Sequence, residues 1–232
     1  MENSHQVTFS QNVKSGWGSA IPICPKNNLV VTLDRKHQDL LITEHGHELF
    51  VSTRLHPEEH VTITGKIVSV PKHIETYKRE YDGFSCDDIQ IGDTAIFRYD
   101  LVFSYLSQPE GLEPVYANMG FINGKEYWKC NVQKIFGVIR NGRIIMVNGY
   151  VMCEPPMERK IHLLGGSSRV NGAEKATVQY VSNGIDDLRG GDIVYFPPGV
   201  AQRYMLNSGK GNHHFSIIHK RHILGRDTTN GN

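Results

Sequence analysis

The sequence is short of the features that most functional classes require. It contains no run of about 18 apolar residues, the length that marks a membrane-spanning helix, and Met1 to Ser10 is polar with no apolar signal core. That pattern predicts a cytoplasmic chain with no membrane partner. Neither sign of charge is in excess: 25 Lys and Arg face 24 Asp and Glu, a net charge of +1, so no overall field draws the chain to nucleic acid. Cysteine is scarce, and Cys24, Cys86, Cys130 and Cys153 form no CxxC pair. This excludes the usual structural-zinc and thiol-redox spacings and leaves reduced, buried thiols acting as small apolar residues.

Catalytic signatures are missing as well. No serine sits in a GxSxG elbow, and no GxGxxG follows an apolar strand. GHE (Gly46 to Glu48) occurs in the zinc-binding domain of medium-chain dehydrogenases, but here it has neither a nucleotide domain nor a cysteine cluster beside it. The expectation is a protein that is not an enzyme and needs no cofactor or metal. Among its twelve histidines two groups could suggest metal, His45, His47, His56 and His60, then His213, His214, His219 and His222. Six residues of strand separate His213 from His219, roughly 20 Å, too far to share an ion. Solvated polar positions are the expected role there. The first group interleaves with Glu44, Glu48, Glu58 and Glu59, and an adventitious metal site is the alternative reading.

What the sequence does contain is an internal repeat. NNLVVTLD (Asn27 to Asp34) matches NGYVMCEP (Asn148 to Pro155), and IVSV (Ile67 to Val70) matches VQYV (Val178 to Val181). IGDTAIF (Ile91 to Phe97) matches GGDIVYF (Gly190 to Phe196), and VQKIFG (Val132 to Gly137) matches KRHILG (Lys220 to Gly225). The offset shrinks from 121 to 111, 99 and 88 residues. The second copy therefore keeps the segments and shortens what joins them, as expected if elements are retained while loops vary. This gives an N-terminal extension at 1–25, a first domain at 26–143, a second at 144–226 and a polar tail at 227–232. NGR (Asn141 to Arg143) reads as a very short connection between the domains.

Each copy reads as β. LVVTL, KIVSV, TAIF, IFGVI, YVMC, ATVQYV, DIVYF and HHFSII are short runs rich in Val, Ile, Phe and Tyr, bounded by Gly, Asn and Asp. Gly92-Asp93 and Gly191-Asp192 each precede an apolar run and suit a tight turn. Closing the strands into a small barrel would remove their exposed edges. Core candidates are Val30, Ile67, Val70, Ile96 and Ile135, with Val151, Val178, Val181, Val194 and Ile223 as counterparts.

These residues resemble the GroES-type co-chaperonin family, in which a first strand leads to a long loop with an apolar triplet. A GxVxxVG strand, a VKxGDxVxF strand and a closing ILAIV-like strand follow. Here the last three read GKIVSVP, DDIQIGDTAIF and EYWKCNVQKIFGVI in copy one, then KATVQYVSNG, DDLRGGDIVYF and NHHFSIIHKRHILGR in copy two. The resemblance implies an all-β fold of two tandem GroES-like, partly open β-barrels, similar to the double-headed co-chaperonins of plastids. It also implies a homo-oligomeric ring and a GroEL-type chaperonin ring as partner.

In the loop of copy one the family's Gly-Gly and Ile-Val-Leu-like triplet become Gly46-His47-Glu48 and Leu49-Phe50-Val51. Copy two has Ile161-His162-Leu163-Leu164 before Gly165-Gly166. The resemblance makes Leu49, Phe50, Val51, Ile161, Leu163 and Leu164 the chaperonin-contact candidates. The alternative is that they pack in their own domains. Burying three apolar side chains yields roughly 1.5–3 kcal/mol each, against about 1–2 kcal/mol per residue for ordering a loop. One loop binds weakly, whereas several in a ring act at high effective concentration. A second functional expectation is a structural or assembly protein that uses the barrels without chaperonin binding.

Three stretches have no counterpart in the repeat. The N-terminal extension carries VTFSQNV and SGWGSAIPI, which could add an edge strand or tie neighbouring subunits, with Trp17 as an anchor. The others are Lys72 to Cys86 and the aromatic-rich Asp100 to Gly124, for which a lid over its own barrel is expected ahead of a partner surface.

Overall fold

The computed structural model describes residues 27–34, 40–42, 48–50, 61–71, 89–103, 105–106, 115–116, 118–156, 173–207 and 212–227. It is almost entirely antiparallel β-sheet. In the first half, strands run β1 (Asn28–Thr32), β2 (Leu40–Ile42), β3 (Glu48–Phe50), β4 (Thr64–Ser69) and β5 (Thr94–Phe97). After a helical turn at Asp100–Phe103 come β6 (Tyr105–Leu106), β7 (Val115–Tyr116), β8 (Met119–Ile122), β9 (Lys125–Asn131), β10 (Ile135–Arg140) and β11 (Arg143–Met146). The second half holds β12 (Tyr150–Cys153), β13 (Glu174–Val181), β14 (Ile193–Phe196), β15 (Gln202–Asn207), β16 (Asn212–His219) and β17 (Gly225–Asp227).

Two large sheets result, with orders β11-β10-β5-β4-β1-β9-β8 and β15-β16-β12-β13-β14-β17. Read from its other edge, the second sheet repeats the first strand for strand, apart from β11. The repetition extends to local detail. Val31 faces Ile67 and Cys153 faces Val178, and the register slips at the same place in both, between Val30 and Val31 and between Met152 and Cys153. In each sheet a glycine at φ 94°, Gly92 or Gly191, precedes the aspartate of a tight turn. Gly92 N donates to Ile67 O at 2.9 Å, and Gly191 N donates to Val178 O at 2.8 Å. The aspartate side chains, Asp93 and Asp192, each accept the backbone N–H three residues earlier at 2.9 Å. The GD pattern thus marks a turn that the carboxylate itself closes.

The pairing corrects three details of the sequence reading. Asn27 and Asn148 look equivalent in the sequence because both are Asn, and both have positive φ. However, Val132 N donates to Asn27 O and the equivalent Lys220 N donates to Gly149 O. The first segments are therefore offset by 122 residues, and Leu29, not Val30, corresponds to Val151. A one-residue slip exchanges the faces of a strand: Leu29 and Val31 lie in the first core while Val30 is on the other face. Ala95 corresponds to Val194, and Ile96 points away from the first core to a different cluster. Finally, NGR is not a connection between domains. Asn141 and Gly142, at φ 50° and 76°, form the two-residue turn of the β10–β11 hairpin. The first sheet thus extends to Met146, beyond the boundary expected at 143.

Each sheet has its own core. Leu29, Val31, Ile67, Ala95, Phe97, Trp128, Cys130, Ile135 and Val138 form the first, and Leu101 and Val102 of the helical turn are buried in it. One end of the Asp100 to Gly124 segment is therefore folded over its own sheet. Val151, Cys153, Ala176, Val178, Val194, Phe196 and Ile218 form the second core. Val70, Val181 and Ile223 are only partly buried at the edges of these cores.

Candidate functional site

Two features stand out: the connection between β1 and β4, and the contact between the sheets. In the connection, β2 and β3 pair as a separate two-stranded ladder, Leu40 opposite Phe50 and Leu41 opposite Leu49, outside the seven-stranded sheet. Leu49 and Phe50 thus lie on β3. Val51, Ile161, Leu163 and Leu164 lie outside the described residues, as do His45, His47, His56, His60, Cys24, Cys86, Trp17 and the 72–86 segment.

The contact between the sheets is an apolar seam that the sequence reading did not identify. Ile63, Ile96, Phe136 and Met146 of the first repeat are buried against Met152, Tyr204, Phe215 and Ile217 of the second. The Phe136 ring meets Tyr150 edge-on at 4.9 Å and Tyr204 at 5.2 Å, and Tyr204 stacks on Phe215 at 5.9 Å. Such aromatic contacts add about 0.5–1.5 kcal/mol each beyond area burial. Burial raises the phenol pKa of both Tyr150 and Tyr204, so both remain neutral hydroxyls. Tyr204 donates its hydroxyl to Gln202 Oε1 at 2.6 Å, satisfying the one polar atom of a fully buried ring. The signal for the seam was present in IFGVI (Ile135 to Ile139), an apolar run without alternation, which fits a strand buried on both faces.

Polar contacts pin the junction. The Asn148 amide donates to Val132 O at 2.7 Å and Ile135 O at 2.9 Å, and Gly149 N donates to Ser182 Oγ at 3.2 Å. Met146 forms a single parallel bridge with Ser182, linking the edge of the first sheet to the second. At the rim, Asp100 accepts from Lys134 at 2.9 Å and lies 3.4 Å from Arg98. All three are partly exposed, so this cluster contributes little net stability.

Among the described residues no group of three or more His, Cys, Asp or Glu could hold a metal. His213 and His214 are exposed, while His219 meets Tyr150 edge-on at 5.1 Å and caps the turn at Lys220–His222 by accepting from Arg221 N. Burial and the neighbouring Arg221 lower the His222 pKa. Cys130 and Cys153 are buried, and burial pushes the Cys153 thiol up to about 12. A thiol so protonated is a poor nucleophile. No helix among the described residues is long and apolar enough to cross a membrane.

No protein-family model matches the chain. No curated protein matches it either.

Proposed function

We propose that this chain is a co-chaperonin-like protein that caps or binds a GroEL-type chaperonin ring through an apolar loop and so assists protein folding, without catalysis. The observation that carries the reading is the β1–β4 connection. It bears Leu49 and Phe50 on a ladder separate from the main sheet, at the place where the GroES-type pattern puts its contact triplet. The repeated strand order with its repeated bulge and turn supports two tandem GroES-like barrels as the scaffold. On this reading Leu49, Phe50 and Val51 make the principal contact, and Ile161, Leu163 and Leu164 a second one from the shorter loop. Several chains in a homo-oligomeric, cytoplasmic ring would supply the multivalency that one loop lacks.

Replacing Leu49, Phe50 and Val51 together by Ser tests this. Loss of chaperonin binding with a nearly unchanged thermal midpoint is the expected result. A core role predicts instead a loss of about 2–5 kcal/mol for each truncated residue, and unfolding. A well-folded variant that binds as the parent does removes the contact assignment. The seam favours a second reading, a structural or assembly protein, because packing two repeats into one unit serves a scaffold equally well. That reading predicts self-assembly with no chaperonin binding by the parent.

A further inference from the structure

The two repeats close their last corner with the same helical turn but with different chemistry. In the first, Asn131 caps the turn at Val132–Lys134, its side-chain Oδ1 accepting from Gln133 N at 2.9 Å. The equivalent residue of the second is His219, which pairs with Tyr150 as Asn131 pairs with Asn28. It caps the turn at Lys220–His222 by accepting from Arg221 N through Nδ1 at 3.2 Å. At the other end of the turn, His222 Nε2 accepts from Arg221 Nε at 3.2 Å. Both imidazoles are therefore acceptors towards one arginine, a role open only to the neutral ring. The Asn131 amide in the first repeat keeps its acceptor at every pH.

This corner also touches the seam. The His219 ring meets Tyr150 of β12 edge-on at 5.1 Å, and Tyr150 meets Phe136 of the first repeat edge-on at 4.9 Å. His222 lies beside His219 with ring centroids 6.4 Å apart. Three charges act on Tyr150, Arg221 from the turn and Arg98 and Asp100 from the first repeat. Lys220, the remaining cation of the turn, is paired with Asp187 at 2.7 Å.

We propose that this corner is a pH-sensitive clamp on the second repeat's side of the seam: protonation of His219 and His222 uncaps the turn at Lys220–His222 and loosens Tyr150 against Phe136. The inference rests on contacts within the chain, not on chaperonin binding. A protonated His219 offers only N–H or C–H to Arg221 N, whichever way its ring turns. A protonated His222 sets a second cation against the Arg221 guanidinium. Burial, and then Arg221, lower the His222 pKa. Its folded pKa lies below its unfolded value, so its contribution is present above about pH 6.5. That contribution is lost as the pH falls from there through the lowered folded value. Carboxylates with ordinary or lowered pKa stay ionised over this range, which separates the effect from the loss at Asp93 in stronger acid.

Hydrogen exchange of the full chain at about pH 7.5 and about pH 5.5, on either side of the histidine range and corrected for intrinsic exchange, tests this with the first repeat as an internal control. Amides of 215–224 should exchange several-fold faster at the lower pH, while those of 127–136 keep their protection. His219→Asn, which copies the cap of the first repeat, should remove most of the change. If that variant folds poorly, NMR titration of the parent decides, because the His219 and His222 imidazoles should titrate over the range in which protection is lost. Unchanged protection of 215–224 in the parent, equal loosening of both turns, a folded His219→Asn that loosens like the parent, or imidazole midpoints outside that range overturns the proposal.

Discussion

Asp93 and Asp192 close the same turn in the two repeats, but their partners differ. Asp93 is buried and takes a two-pronged contact from Arg140, Nε to Oδ1 at 2.8 Å and Nη2 to Oδ2 at 2.7 Å. Asp192 has one contact with the more exposed Arg226, at 3.3 Å. The Arg140 hydrogen bonds hold the Asp93 carboxyl below the usual carboxylate range against the opposing effect of burial. Its folded pKa lies below its unfolded value, so its contribution is fully present above about pH 4 and is lost as pH falls through the lowered folded value. Asp93→Asn should cost about 2–3 kcal/mol at neutral pH, and Asp192→Asn about 1 kcal/mol or less. Urea titrations at pH 7 and below pH 4 check both. The Asp93→Asn penalty should shrink in acid.

The strands contrast similarly at equivalent glycines. A Cβ on Gly137 of β10 would lie 2.6 Å from Ile145 O of the paired β11, whereas one on Gly225 of β17 would meet nothing within 4 Å. Gly137→Ala should therefore destabilise by about 1–3 kcal/mol, and Gly225→Ala should change stability by no more than about 0.5 kcal/mol. Thermal melts of the two variants measure the difference. The same strands explain what was legible in the sequence. β4, β13 and β14 alternate, and a GD turn precedes β5 and β14, so their order could be read directly, although the register within β5 slipped, since Ala95 and not Ile96 is the counterpart of Val194. The first segment slipped by one residue because Asn27 and Asn148 share a residue type, while the backbone equates Asn27 with Gly149. β8 and β15 escaped notice because MGFI and QRYMLN share no pattern, and only their pairing to β9 and β16 makes them equivalent. The seam was hidden because packing between distant segments leaves only a weak local trace, the doubly buried β10. The contact triplet was placed by resemblance, since an apolar triplet has no local property that distinguishes docking from packing.

For the molecule as a whole, the seam makes the two repeats one thermodynamic unit. Phe136→Ala removes a ring packed on both Tyr150 and Tyr204 and should cost about 3–5 kcal/mol. Calorimetry of the parent should give one transition containing both sheets, and in Phe136→Ala that transition should move down or split in two. A parent with two independent transitions would mean that the seam does not couple the repeats. Beyond this unit, the central claim is that the assembled chains engage a chaperonin through the β1–β4 loops. It is tested most directly by the molar mass of the purified protein mixed with a GroEL-type chaperonin ring, with and without nucleotide. The account predicts a nucleotide-dependent complex heavier than either component, lost when Leu49, Phe50 and Val51 are replaced by Ser. Two species that keep their separate masses under every nucleotide condition would contradict it.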